Sequence, residues 1–363
     1  MYQKLSQLIT AVETVMCLVG IVTNFLALII YTRPNFRKKS INVLLSALSA
    51  ADLGVCLLAI PVFASKQFEA WISVYLVAVI MVYLYPISIM FQSMSVWLLV
   101  SITIDRYLAV CHPFMVNTYC SRNRAIVIVI FVVIFSIAYN FVRFWEYYID
   151  FSKATEGLEG MVQPLLRADE IFMLWYQNVL TLLSQFLLPL VVLCGLNLQV
   201  ARTILRASEQ RRELVASVKR EHSTAKMMIM VVIVFVFCYT FSFVLNISEI
   251  QNADLFQSEM GYLLNDINNV LVVVNSSSTF IFYYNFSTRF RNQARSLYGI
   301  RWFMSRTKFT VCNNNNPVSR SETTKFKESY VSAKQSSKKY LICRLDRRHS
   351  QQNTAKATLS CDI

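Results

Sequence analysis

Charged side chains are scarce: only 15% of the 363 residues are Asp, Glu, Lys or Arg, against roughly 25% in an ordinary soluble domain. Glycine and proline are also few, seven of each, so long helices can run with little interruption. Only three histidines occur, His112, His222 and His349, and no CxxC pair exists among the nine cysteines. No metal site follows from either residue type. Cys17, Cys56, Cys111, Cys120, Cys194 and Cys238 lie in or beside apolar runs, and Cys312, Cys343 and Cys361 in a polar stretch near the end. That placement does not read as a disulfide framework. HExxH is missing, no two carboxylates pair within the apolar runs, and no repeat is visible, which argues against a membrane enzyme or transporter. Basic residues sit between apolar runs rather than interleaved with aromatics on a polar face, so a nucleic-acid partner is not expected.

Apolar residues dominate: 55% of the chain is hydrophobic and mean hydropathy is +0.45. They gather in seven runs, roughly 8–31, 41–65, 74–105, 123–145, 171–201, 227–248 and 263–284. Runs of this length cross a bilayer as helices. The first continues for a full span, so it does not read as a cleavable signal. The pattern predicts an all-α membrane protein, a seven-transmembrane helix bundle spanning 8–284 after a short outer segment, 1–7. The net charge of +14 is uneven. Arg33, Arg37, Lys38 and Lys39 follow the first run, Arg122 and Arg124 precede the fourth, and Arg202, Arg206, Arg211, Arg212, Lys219, Arg220 and Lys226 separate the fifth from the sixth. These loops share one face, which the positive-inside rule makes cytoplasmic. The amino terminus is then expected outside and the carboxyl terminus inside, with the plasma membrane as location.

The other face is acidic. Glu146, Asp150, Glu156, Glu159, Asp169 and Glu170 stand there against Arg143, Lys153 and Arg167, and Glu249, Asp254, Glu259 and Asp266 flank the last outer loop without Lys or Arg. Either this mouth draws a cationic visitor, or it is what remains once basic residues are kept inside. Phe286, Phe290 and Leu297 share a face in 285–300, with Arg289, Arg291 and Arg295 elsewhere. This spacing predicts a short amphipathic eighth helix on the lipid surface. Residues 301–363 are polar and basic, and their composition predicts a disordered tail. Ser319, Ser321, Thr323, Thr324 and Ser329 are potential phosphate acceptors there.

Polar groups interrupt the apolar runs at Asn24, Asp52, Ser95 and Asn275-Ser276-Ser277-Ser278. A carboxylate in mid-span needs a cation, a proton or several hydrogen bonds, and Asn24, Ser95, Asn275 and Ser276 are its candidate partners. A helix-to-helix clasp without an ion is the other reading. Asp105-Arg106-Tyr107 ends the third run. Its arginine is either a snorkelling anchor or one partner of an ion pair at the membrane edge. Pro61, Pro86 and Pro189 each remove a backbone hydrogen bond and should bend their helices.

Seven runs, Asp52, Asp105-Arg106-Tyr107 and Pro189 together resemble the rhodopsin-like G-protein-coupled receptors, over about residues 8–298. Within that family the chain resembles the invertebrate FMRFamide-type neuropeptide receptors. Tyr85-Pro86, Gln92-Ser93-Met94-Ser95-Val96, Asp105 through His112-Pro113-Phe114, Cys120 with Arg124-Ala125, Tyr139 through Tyr147 and Asn275-Ser276-Ser277 carry this likeness. The most specific part is Val142-Arg143-Phe144-Trp145-Glu146-Tyr147.

The resemblance implies a receptor, not an enzyme, that answers an amidated peptide through a heterotrimeric G protein, with arrestin and receptor kinases acting at the tail. It implies a sodium ion among Asp52, Ser95, Asn275 and Ser276, with Asn24 as a further polar anchor. It casts Arg106 as the G-protein-engaging arginine, Glu221 as its resting restraint, and Tyr283 and Tyr239 as seventh- and sixth-span switch positions. Gln92, Tyr85, Trp175, Tyr176, Glu249 and Asp266 are the expected ligand contacts. A chemosensory receptor for small molecules, or a weakly coupling receptor, is the alternative. Several family positions differ. The NPxxY stretch reads Thr279-Phe280-Ile281-Phe282-Tyr283, the Cys-Trp-x-Pro stretch reads Cys238-Tyr239-Thr240-Phe241, and Asn197 stands where a fifth-span tyrosine is usual. Neither cysteine of the usual outer disulfide is present, so a looser outer loop is expected. No lysine occurs in 263–284 and Ser88 holds the amine receptors' aspartate position, which argues against retinal and monoamine ligands.

Overall fold

The computed structural model describes residues 2–34, 36, 38–64, 73–210, 215–251 and 258–296. The tail at 301–363, including its serines and threonines, and Asp254 lie outside them, as do the side chains of Glu156, Glu159 and Glu221.

Seven long helices and a short eighth build the described part. α1 is Tyr2–Thr32, α2 Ser40–Ala64, α3 Val74–Cys111 and α4 Arg122–Asn140. α5 opens at Phe172–Leu180 and ends as Leu188–Gln210. α6 is Val215–Gln251, α7 Glu259–Phe286 and α8 Thr288–Ser296. The helices outrun the apolar segments: α1 begins at Tyr2, so 2–7 belongs to it, and α3 carries the Asp105 triplet inside its last turns. Six of the helices are long and apolar enough to cross a membrane. α7 has the length, 28 residues, but Asn265, Asp266, Asn268, Asn269, Asn275 and three consecutive serines make it more polar than the rest.

Two of the three prolines in the spans sit where the helix widens. Pro86 is the second residue of the α-helical stretch that resumes after a π turn at Ile80–Leu84, and Pro189 follows a π turn at Leu183–Leu187. Proline has no N–H to give and its ring crowds the preceding turn; a wider turn absorbs both effects. Pro61 lies within α2, which is assigned as α-helix throughout. Ser121 caps α4 by accepting from Arg124 N at 3.4 Å, and Ser258 caps α7 by accepting from Gly261 N at 3.4 Å.

One buried cluster joins α1, α2, α3, α4, α7 and α8 through Ala27, Leu48, Leu98, Val132, Phe280 and Phe290. A second joins α3, α5 and α6 through Val96, Val100, Leu193 and Phe235. α1 approaches α2 and α7 closely at Gly20, where a Cβ would fall 2.5 Å from both Cys56 Sγ and Ser277 Oγ. The outward faces stay apolar, with Val15, Val22, Phe131, Ile134 and Val191 exposed, as lipid contact requires. α8 turns Phe290 and Ala294 inward.

The stretch between α4 and α5 forms a small hairpin. β1 (Tyr147–Ile149) pairs antiparallel with β2 (Val162–Pro164), Tyr147 opposite Pro164. Asp150 N extends the pairing to Met161 O at 2.8 Å. All six cysteines among the described residues are free thiols.

Candidate functional site

Polar side chains meet at three levels along the bundle. At the hairpin end the centre is Arg143, just past α4. Its guanidinium donates to Asn140 Oδ1 at 3.1 Å, Glu146 Oε1 at 2.9 Å, Gln177 Oε1 at 2.8 Å and Thr181 Oγ1 at 3.4 Å. Both ions are almost wholly enclosed, 3% and 1% exposed. Arg143 also lies over the Tyr176 ring at 5.4 Å from its centroid, and Tyr176 donates its hydroxyl to Tyr139 O at 2.7 Å. Glu146 O accepts from Leu165 N at 2.9 Å, which seats the strand end of the hairpin. Arg167 donates to Tyr147 Oη at 2.6 Å and reaches Glu249 of α6 at 3.6 Å. Burial alone would lower the Arg167 guanidinium, yet Tyr147, Tyr85, Glu146 and Glu249 hold it above its ordinary value.

Three expectations change here. Glu146 is not part of an acidic surface: it is buried and neutralised by Arg143. Glu249 is already paired, with Arg167. The hairpin is not a loose loop, because the Arg143 cluster ties it to α4 and α5 where a disulfide is missing. Tyr85 lies among the same charges, whereas Trp175 is 63% exposed and not enclosed by them. The exposed Asp150 carboxyl accepts from Ser152 N and Oγ, at 3.1 and 2.6 Å, which lowers its pKa.

The middle level surrounds Asp52. Its carboxylate accepts from Ser95 Oγ of α3 at 2.6 Å and from Thr279 Oγ1 of α7 at 3.3 Å, and Ser276 faces the same group. Asn24 of α1 donates to Ser276 O at 3.1 Å, and its Oδ1 is buried without a hydrogen bond. Three helices therefore meet at one carboxylate, and α1 braces the α7 side of it. Asn275 contributes only its backbone carbonyl, to Ser278 Oγ at 3.0 Å and Thr279 Oγ1 at 3.5 Å; no hydrogen bond joins its side chain to Asp52. Thr279 takes that place. It stands three residues beyond Ser276, so one α-helical face presents both. Carboxylate and hydroxyl oxygens are the hard donors that suit a small alkali cation. Above them Tyr239 of α6 stacks on Phe235 at 4.5 Å between ring centroids, and Gln92 of α3 reaches its hydroxyl.

At the opposite end Arg106 holds Asp105 Oδ2 at 2.6 Å while Ser40, the first residue of α2, donates to Asp105 Oδ1 at 2.7 Å. Arg106 Nε is buried with no hydrogen-bond partner. Tyr107 Oη is 3.1 Å from His112 Nε2, and the Tyr107 side chain packs against Val200 and Ile204 of α5. Asn197 turns back to Leu193 O at 2.8 Å, a bond within its own helix. Tyr283 is buried between Tyr31 and Phe290, at 5.9 and 6.2 Å between centroids. The sequence did not signal Ser40 or Tyr31, which lie outside the motifs. It did not signal Glu13 either, a buried carboxylate of α1 placed within Coulombic range of Asp266.

Residues 23–281 match the model of the family described as 7 transmembrane receptor (rhodopsin family). The "FMRFamide peptide receptor frpr-18" of Caenorhabditis elegans is 35% identical over 294 residues, 78% of this chain and 68% of that protein. The "FMRFamide receptor" of Drosophila melanogaster is 32% identical over 282 residues, 75% of this chain and 50% of that protein. A shorter likeness, 30% over 142 residues, joins it to the human thyrotropin-releasing hormone receptor, 39% of this chain and 34% of that protein.

Proposed function

The chain belongs to the rhodopsin family of seven-transmembrane receptors, and we propose that it is a plasma-membrane receptor for an extracellular amidated peptide ending in an Arg-Phe-like pair, coupled to a heterotrimeric G protein. The carrying observation is the likeness to two FMRFamide receptors over three quarters of the chain. The hairpin end faces outside and the Asp105 end inside, as the basic loops require.

The ligand enters at the hairpin end, where the Asp266 carboxylate attracts positive charge. Tyr85, Gln92 and Tyr239 offer its aromatic end a surface that is apolar with polar tips. Binding biases a two-state bundle. In the resting state Asp105 engages Arg106, with Glu221 as a further restraint. In the active state Arg106 is released to meet the G protein, and α6 and the Tyr283 cluster shift with it. Asp52, Ser95, Ser276 and Thr279 are the residues that would hold a sodium ion, whose charge would favour the resting arrangement. α8 lies on the inner lipid surface, and the tail serves receptor kinases and arrestin.

The test is a G-protein activation assay in cells expressing the chain, against a panel of amidated Arg-Phe peptides, with Arg106→Ala alongside. A response in the parent and none in the variant, at equal surface levels, supports coupling through Arg106. Silence from a well-expressed parent refutes the peptide assignment and points to a small-molecule ligand.

A further inference from the structure

Glu13 is a buried charge that the mechanism above does not use. It lies on the inward stripe of α1, between Thr10 and Cys17, and its side chain is 4% exposed with Oε1 making no hydrogen bond. One turn deeper, Cys17 packs with Ala59 of α2 and Val273 of α7, so this stripe faces the groove between those helices. One turn outward, Thr10 is buried and its hydroxyl is spent on Ser6 O at 3.0 Å. One turn further, Ser6 donates to Asp266 Oδ2 at 2.6 Å. Asp266 itself stands seven residues, two helical turns, outward of Val273. Carboxylates from α1 and α7 thus flank the Thr10 level, within Coulombic range of each other.

A carboxylate among apolar helices is costly unless a cation, a proton or hydrogen bonds meet it. Glu13 Oε1 has no hydrogen bond, and the Asp266 carboxylate within Coulombic range adds repulsion that one shared cation relieves. We infer that Glu13 and Asp266 together form the subsite for the cationic group of the extracellular ligand, a guanidinium or ammonium held between α1 and α7. A guanidinium presents donors in a planar fork and can meet two carboxylates at once. Glu249, another acid at this end, pairs with Arg167 at 3.6 Å. This assignment rests on the peptide-receptor reading above.

The experiment compares the parent with Glu13→Gln, Asp266→Asn and Glu249→Gln in the G-protein assay, at matched surface levels. Three probes are used: an amidated Arg-Phe peptide, its citrulline analogue, and its N-acetylated form. The parent should lose potency on citrulline if the cation is the arginine, or on acetylation if it is the terminal ammonium. Glu13→Gln and Asp266→Asn should each weaken the parent peptide at least tenfold and erase most of that difference; Glu249→Gln should keep it. Retention of the full difference in Glu13→Gln at parent surface levels overturns the inference. If Glu13→Gln fails to reach the surface, the same comparison in Asp266→Asn decides. If no amidated peptide activates the parent, the functional reading falls, and the subsite is judged separately on purified receptor. There, agmatine should raise the unfolding midpoint of the parent and not of Glu13→Gln or Asp266→Asn; equal shifts in all three overturn the inference.

Discussion

Replacing Arg143 with methionine should cost this receptor more stability than almost any other single change at the hairpin end of the bundle. The side chain is 3% exposed and serves Asn140, Glu146, Gln177 and Thr181 at once. Methionine fills much of the volume but satisfies none of these partners, and it leaves the Glu146 carboxylate buried at 1% exposure with no cation. Breaking one side of such a pair costs about 3–5 kcal/mol. At roughly 2–4 °C per kcal/mol for a chain of this order of size, the unfolding midpoint should fall by about 6–20 °C. The assay is thermal unfolding of detergent-purified receptor, followed by a thiol-reactive dye. Arg143→Met/Glu146→Leu should recover a good part of the loss, because the stranded charge is gone and apolar packing replaces it. If the single variant melts within 2 °C of the parent, the pair does not anchor the hairpin, and the account given for the missing disulfide is wrong.

Phe290→Ala should cost about 3–5 kcal/mol, since this ring is 1% exposed between Tyr31, Phe280 and Tyr283; the same melting experiment checks it, and a change under 1 kcal/mol would contradict the packing. Gly20→Leu should lose about 1–3 kcal/mol or more, because its Cβ alone meets Cys56 and Ser277 at 2.5 Å, and surface expression should drop with it. Sodium chloride should raise the parent's melting midpoint above that in choline chloride, and Asp52→Asn should remove the difference; an unchanged difference would place any ion elsewhere. Arg167→Ala cuts a bridge whose ends are about a quarter exposed, so its melting cost should stay below about 1 kcal/mol.

The seven runs were legible because hydrocarbon thickness sets a length that sequence displays directly. Asp52 and Ser95 were legible as well, since polar groups stand out against apolar runs. Thr279 was readable only as a missing asparagine, and its hydroxyl replaces part of what was lost. Arg143 and Glu146 stood in plain view three residues apart, but burial decides what such a pair is, and burial is a property of the packed bundle. Glu13 hid for a related reason: one acid among Val12, Thr14, Val15 and Met16 barely lowers the hydropathy of a long run. Trp175 illustrates a third limit. It was expected at the ligand through the resemblance alone, and the packed bundle leaves it 63% exposed in the π stretch Phe172–Leu180.

The two wide turns ahead of Pro86 and Pro189 also set where this bundle has slack. Each stores one surplus residue. Passing that residue along the helix turns the residues it crosses by about 100° without lengthening the span. α6 keeps no such reserve: its 37 residues are α-helical from end to end, with no proline inside. Local slack therefore sits in α3 and α5, and α6 is the uninterrupted helix beside them. In this chain slack and stiffness belong to different helices.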